Sequence, residues 1–284
     1  MELNTLIVED LSCAGQVSLT SALPILGAAG CQPTILPTTL LSTHTGGFGN
    51  NTYLDLSNEM VKIIHHWQTI PLTFSNILLG YLGKQPAKII LNYLPLLSAK
   101  NSFILLDPAM ADNGQLYRGF DLDYVSQIKK IASHADLLTP NVTEAELLLG
   151  QAPTNSSITL ATAQALLSGL KNIFPAAAIV LTGVKLKNQI AVLGIENFSR
   201  EIWQVTVTKK QGDFFGTGDV FASLLLTYLI HHYDLLTAVK LSMNFISKSI
   251  SAVKAKNPSD QRFGLDYSSQ LPVLLKQLEF ERGK

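Results

Sequence analysis

Short apolar runs of strand length recur along this chain, each followed by a stretch of helical spacing, and no other feature restricts its fold as much. Residues 3–8, 34–36, 77–79, 103–106, 137–139 and 178–181 read as strands. Helices are expected over residues 17–28, from Ser57 as cap to about Trp67, from Pro86, from Asp121, over 143–149 after the Thr139-Pro140-Asn141 turn, and over 158–172. Strands joined through helices can run parallel, whereas a tight turn only reverses the chain. The pattern therefore predicts a mostly parallel sheet in an α/β protein. Residues 190–195 and 201–207 alternate like antiparallel strands at a sheet edge. From Thr217 the chain reads as helical nearly to its end, with breaks near Tyr233 and Pro258. No repeat, low-complexity tract or long linker interrupts it. With 284 residues, 47% of them hydrophobic, the chain can bury one core, and a single domain over residues 1–284 is expected.

The 21 basic side chains balance 21 acidic ones and only 15% of residues are charged, so the basic footprint of a nucleic-acid binder is missing. Mean hydropathy is high at +0.25. Even so, no apolar run approaches the roughly 20 residues of a membrane span, and the run from Leu224 stops at His231-His232. The segment MELNTLIVED carries acids without the basic region of a signal peptide. Cys13 and Cys31 lack metal-ligand spacing. A reduced, cytoplasmic protein without nucleic-acid or membrane partners is expected.

Ligands of a parallel sheet gather at the carboxyl ends of its strands. Every polar cluster of note falls there: residues 9–15, 107–112, 139–144, Thr182-Gly183 and 216–219. The last lies in DFFGTGDVFASL, which runs from Asp213 to Leu224. Backbone N–H groups at a helix start lack intrahelical partners and carry partial positive charge, and glycines let a phosphoryl group approach them. Asp219, beside that turn, could accept a proton from an attacking hydroxyl; it could equally do no more than cap the helix. Asp107, Asp112, Asn141 and Glu144 offer the oxygens that Mg²⁺ takes together with waters and phosphate. Glu144 at a helix start and Asp107 before Pro108 also have ordinary structural uses. Residues 43–51, polar and glycine-rich, suit neither helix nor strand, and little packing is expected to hold them.

GTGD ahead of a long helix, with N-x-x-E earlier in the chain, resembles the ribokinase-type kinases of small alcohols. The pyridoxal and pyridoxamine kinases among them are similar over several segments in the same order, between about Leu3 and Leu226. Ser12 falls in the loop after the first strand, as theirs does. Leu41-Ser42-Thr43-His44-Thr45-Gly46 resembles x-S-N-H-T-G, and Leu79-Gly80-Tyr81-Leu82-Gly83 resembles G-Y-L-G. DPAMADNGQLY, from Asp107 to Tyr117, is similar to D-P-V-M-G-D…G-x-L-Y. ADLLTPNVTEAELL, from Ala135 to Leu148, is similar to A-D-x-I-T-P-N-x-T-E-A-x-L-L.

The resemblance implies a three-layer ribokinase-like fold: a central, mostly parallel sheet flanked by helices, with a short flexible lid at residues 43–51 and no separate lid domain. It implies transfer of the ATP γ-phosphoryl group to the 5′-hydroxymethyl of a vitamin B6 vitamer. Asp219 would be the base, and Gly216, Thr217 and Gly218 the anion hole. Asp112 and Glu144 would hold Mg²⁺. Asp112, Tyr117, Asn141, Thr182, Gly183, Gly212 and Thr217 would hold the nucleotide, bordered by residues 209–214. Ser12, His44, Thr45 and Tyr81 would surround the pyridine ring, with Ser12 bonding the ring nitrogen and Tyr81 offering an aromatic face. A homodimer is implied too, and a monovalent cation such as K⁺ is left open.

Three departures stand out. Ala111 replaces a glycine, which matters only if the position needs positive φ; Lys84 follows GYLG where serine is common; Thr43 replaces an asparagine. His65-His66 and His231-His232 have no carboxylate partner in sequence and are expected in surface or core roles, with Cys13 a passive thiol. Lys209-Lys210 is either a solvated pair or an attractor of ATP. Two other functions compete with this one. A hydroxymethylpyrimidine kinase is disfavoured because residues 9–15, EDLSCAG, lack the G-x-D-x-S-G-G-A-G run of those enzymes. The intact Asp219 and its glycine turn argue against a catalytically silent vitamer-binding protein.

Overall fold

The computed structural model describes residues 3–70, 72–155, 157–212, 214–252 and 258–282. Its strands are β1 (Thr5–Ser12), β2 (Pro33–Leu41), β3 (Tyr53–Asp55), β4 (Phe74–Leu79), β5 (Ser98–Leu106), β6 (Ala111–Asp112), β7 (Gln115–Leu116), β8 (Leu137–Leu138), β9 (Ala178–Leu186), β10 (Gln189–Ile195) and β11 (Ile202–Thr208). The helices are α1 (Leu19–Ala28), α2 (Ser57–Thr69), α3 (Lys84–Leu97), α4 (Leu122–Ala132), α5 (Val142–Leu148), α6 (Leu160–Ile173), α7 (Thr217–Ile230), α8 (Leu235–Ala252) and α9 (Leu271–Arg282).

Nine strands form one sheet in the order β11-β10-β9-β8-β5-β4-β1-β2-β3. From β9 through β2 the neighbours run parallel. Antiparallel β10 and β11 finish one edge, as the alternation predicted, and antiparallel β3 finishes the other. Alternate side chains of each strand enter opposite layers. Leu6, Val8, Ile77, Leu79, Leu106 and Leu181 pack against α2–α6, while Ile7, Leu78, Leu105, Leu137 and Val180 pack against α1, α7, α8 and α9. Enclosed in this second layer, α7 is buried nearly all round rather than along one stripe. No helix of the described residues is long and apolar enough to cross a membrane.

Several expectations need correction. β2 spans nine residues rather than three, because Pro33 and Pro37 mask a strand that pairs with β1 along its length. β3 and the β6–β7 hairpin are too short to carry a periodic signal. Ser57 starts α2 without capping it; Leu56 holds the cap position, and Asp55 Oδ1 accepts the Ser57 N–H at 2.8 Å. Residues 43–51 contain no helix or strand, yet they are well anchored. His44 Nε2 meets the Arg262 carbonyl at 2.5 Å, and Arg262 Nη1 donates to the Gly47 carbonyl at 3.1 Å. Phe48 packs edge-on against Phe263, and the His44 ring lies 4.9 Å from that of Phe215. The expectation of little packing there does not stand.

Candidate active site

A cleft of about 870 Å³ opens between the carboxyl ends of β5, β8 and β9 and the first turn of α7. Its wall contains Asp112, Tyr117, Asn141, Glu144, Thr182, Gly183, Gly212, Gly216, Thr217, Gly218 and Asp219. The nucleotide-side and catalytic residues expected from the sequence thus share one cavity. Lys209 and Lys210 border it as well, while Asp213 lies outside the described residues.

Gly216 caps the start of α7, and its φ of 72° is left-handed. This turn presses on the loop after β1: a Cβ on Gly216 would come within 2.8 Å of the Gln16 carbonyl oxygen and 2.9 Å of Val17 Cγ1. Gly218 differs. A Cβ there would meet Asp107 Oδ2 at 3.6 Å, an ordinary contact, so its missing side chain leaves room in the cleft. Asp219 Oδ2 accepts the Ser18 backbone N–H at 2.8 Å. Desolvation lifts the Asp219 carboxyl above the usual range, while the Ser18 N–H and His44 pull it down. Ser18 delivers that N–H from a left-handed φ of 48°.

Acidic groups crowd the cleft. Desolvation, with repulsion from Asp219, pushes Asp107 up to about 8. Burial and then Asp107 hold Glu144 well above the carboxylate range. Burial and the neighbouring acids raise Tyr117 likewise. Glu144 also closes the capping box of α5: its Oε2 accepts the Asn141 N–H at 2.8 Å, and Asn141 Oδ1 accepts the Glu144 N–H at 3.0 Å. Its Oε1 accepts the Met110 N–H at 3.1 Å, and Asn141 Nδ2 donates to the Ala111 carbonyl at 2.7 Å. The helix-start use weighed for Glu144 is therefore real and coexists with a place in the cleft. Exposed Asp112 accepts the Asn113 N–H at 2.7 Å and its side-chain amide at 2.9 Å. Thr182 is tied to the Pro140 carbonyl at 2.9 Å, and Gly183 takes a φ of 69° beside it. Carboxylates that repel one another invite a hard cation, and an all-oxygen donor set fits Mg²⁺. Mg²⁺ takes one or two protein oxygens plus waters and phosphate; among the described residues no group of three or more His, Cys, Asp or Glu side chains converges.

Ser12, His44, Thr45 and Tyr81 do not line this cleft; Ser12 and Tyr81 neighbour a group around Asp10, and Asp10 and His44 each interact electrostatically with Asp219. Buried Ser12 donates its hydroxyl to Asp10 Oδ2 at 2.8 Å. The Tyr81 ring, also buried, lies 5.2 Å from Phe120. His44 is within electrostatic reach of Asp219, and Thr45 is half-buried next to it. Two members of this group were missed in the sequence. Asp10 is pushed up to about 6, first by desolvation and also by Asp219, against hydrogen bonds from the Ser18 and Ser12 hydroxyls. Its i, i+2 spacing from Ser12 on a strand was a usable signal. Ser18, which acts on Asp219 through its backbone, gave none.

The departures resolve simply. Ala111 lies in β6 without positive φ. Lys84 pairs with Asp121 at 2.6 Å, joining the starts of α3 and α4, and Thr43 Oγ1 donates to the His44 carbonyl at 3.2 Å. His65 meets the Tyr93 hydroxyl at 2.9 Å, and buried His231 meets the Ala29 carbonyl at 3.1 Å. Cys13 is an exposed free thiol, and Cys31 is buried.

A family model for phosphomethylpyrimidine kinase matches residues 26–262. The crystal structure of a pyridoxal kinase from Lactobacillus plantarum is 32% identical with a TM-score of 0.87, covering 98% of this chain and 99% of that one. A Bacteroides thetaiotaomicron protein assigned to the phosphomethylpyrimidine kinases and solved with pyridoxal is 30% identical with a TM-score of 0.87, covering 97% and 96%. The hydroxymethylpyrimidine/phosphomethylpyrimidine kinase of Aquifex aeolicus is 29% identical over 205 residues, 70% of this chain and 74% of that protein.

Proposed function

Because this chain belongs to the phosphomethylpyrimidine kinase family and is a ribokinase-like kinase that transfers phosphate to an alcohol, we propose that it phosphorylates the 5′-hydroxymethyl group of pyridoxal, pyridoxine or pyridoxamine with ATP. One observation supports this reading: Asp219 lines the cleft with Oδ2 fixed by the Ser18 N–H, and it interacts with Asp10, the hydrogen-bond partner of Ser12. A desolvated carboxylate is a stronger base than an exposed one, and Asp219 takes the proton of the attacking hydroxyl. The N–H groups of Gly216, Thr217 and Gly218 face the charge that grows on the phosphoryl oxygens. Tyr117, Asn141, Thr182, Gly183 and Gly212 hold the nucleotide. Asp112 and Glu144 would hold Mg²⁺, which neutralises phosphate charge when bound. Ser12, His44, Thr45 and Tyr81 surround the ring. Since Ser12 is fully buried, admitting a ring requires a covering segment to move, and residues 43–51 are the proposed lid. A single domain over residues 1–284, a homodimer and a cytoplasmic location complete the proposal; replacing K⁺ by Na⁺ in the assay tests a monovalent requirement.

The Aquifex aeolicus relative favours a second reading, hydroxymethylpyrimidine kinase, against which residues 9–15 speak. The test is kcat/KM with MgATP and each B6 vitamer or hydroxymethylpyrimidine offered separately. The highest value is expected for a vitamer; a higher one for the pyrimidine overturns the proposal. Vitamer-stimulated ATP consumption excludes a silent binding protein.

A further inference from the structure

We propose that Asp10, acting through Ser12, makes this kinase select the ring-protonated, pyridinium form of its vitamer, an inference that rests on the B6 reading above. Asp10 and Ser12 occupy positions i and i+2 of β1 and so share one face of the strand. Both are buried, and the Ser12 hydroxyl donates to Asp10 Oδ2 at 2.8 Å. A serine hydroxyl has one proton to give and two lone pairs to offer, while an ionised carboxylate only accepts. With Asp10 ionised, the proton of Ser12 is committed, and Ser12 meets a ring nitrogen as an acceptor. A neutral pyridine nitrogen would face it lone pair to lone pair, leaving buried acceptors unpaired. A protonated ring completes the chain N⁺–H···O–H···O⁻, in which the buried carboxylate also gains its counter-charge.

The groups around Asp10 set where it ionises. Glu9 adjoins it on β1, Asp219 faces it from α7, Tyr53 from β3, and Tyr81 from the segment after β4. Desolvation and the Asp219 charge raise Asp10, the Ser18 and Ser12 hydroxyls lower it, and the balance is about 6. At neutral pH Asp10 is therefore mostly ionised, and in that form it only accepts.

The experiment is the ultraviolet spectrum of pyridoxine, whose bands distinguish protonated from neutral rings. The vitamer is bound with a non-hydrolysable ATP analogue at an alkaline pH where the free vitamer has largely lost its ring proton. The wild-type complex should retain the protonated spectrum. Asp10→Asn should bind the neutral ring, because its amide donates to Ser12 and turns the hydroxyl proton towards the nitrogen. At pH 7 the same variant should raise the KM for pyridoxine about 10- to 100-fold, the worth of one charge-assisted hydrogen bond, with kcat much less affected. A wild-type complex whose ring titrates like free pyridoxine overturns the inference, and so does an Asp10→Asn complex that keeps the ring proton. The wild-type spectrum requires no variant, so the inference stays refutable even if Asp10→Asn fails to fold. A wild-type protein that phosphorylates no vitamer overturns the B6 reading as well, whereas active turnover with a neutral bound ring overturns this inference alone.

Discussion

One methyl group, added at Gly216 or at Gly218, should produce opposite effects. At Gly216 an alanine must hold a left-handed backbone, which costs about 1–2 kcal/mol. Its Cβ would also meet the Gln16 carbonyl at 2.8 Å and Val17 Cγ1 at 2.9 Å. The Gln16 backbone is itself pinned, its N–H bonded to the Phe263 carbonyl at 2.7 Å, so overpacking of about 1–3 kcal/mol adds to the strain. Together these give about 2–5 kcal/mol. Over 284 residues the unfolding entropy is about 0.6 kcal/mol/K, so Tm should fall by about 3–8 °C. Gly218 is a helical residue whose Cβ would find only an ordinary 3.6 Å contact. Alanine is favoured over glycine there by up to about 1 kcal/mol, so Tm should hold or rise by about 2 °C. Its methyl, however, fills space that a transferring phosphoryl group needs, and kcat should fall about 10²-fold, the scale of a lost oxyanion-type donor. Thermal melts paired with ADP release under saturating MgATP and pyridoxal separate the two. Wild-type turnover by Gly218→Ala would refute the anion-hole reasoning; an unchanged Tm for Gly216→Ala would refute the backbone argument.

Asp219→Asn keeps an oxygen for the Ser18 N–H, so its Tm should change little while kcat drops about 10²–10⁴-fold; wild-type turnover in this variant would show that Asp219 is no base. Glu144→Gln replaces one of two accepting oxygens with a donor that faces a backbone N–H. A loss of about 1–3 kcal/mol in urea melts should accompany a raised Mg²⁺ requirement, and an unchanged metal titration would leave only the capping role. Asp107 binds its proton more tightly folded than unfolded, so its share of stability is greatest below about pH 4 and declines as pH rises towards about 8. Asp107→Asn should therefore raise Tm at pH 8 and flatten this slope in Tm measured from pH 4 to 8. Hydrogen exchange over residues 43–51 should slow when pyridoxal and an ATP analogue bind together; equal exchange would dismiss the lid.

What could be read from the chain followed from how local the signal was. β1, β4, β5 and the α7 turn announce themselves through continuous apolar runs and a glycine pair within a few residues. Part of the cleft was legible for the same reason, since its clusters at residues 107–112 and 139–144 directly follow β5 and β8. β2 was obscured by its prolines, and the anchoring of residues 43–51 depends on Arg262 and Phe263, which lie more than 200 positions away. Glu144 was visible as a motif residue, but its bonds to Met110 and Asn141 required the fold. Asp10 was visible only as part of the polar cluster at residues 9–15; its burial inside β1 and its bond to Ser12 required the fold.

The bond that steadies Asp219 runs from the main chain of Ser18, and this changes what natural variation can do there. Every residue except proline supplies that N–H, so exchanging the side chain cannot delete the anchor. What must survive is the ability to sit at φ 48° and ψ −129°, which glycine adopts freely and β-branched residues resist. Drift at position 18 should run towards glycine, giving up only the hydroxyl that reaches Asp10, and should avoid valine and isoleucine. Selection at this site acts on a dihedral angle, and a comparison of side-chain chemistry alone would class the position as freely variable.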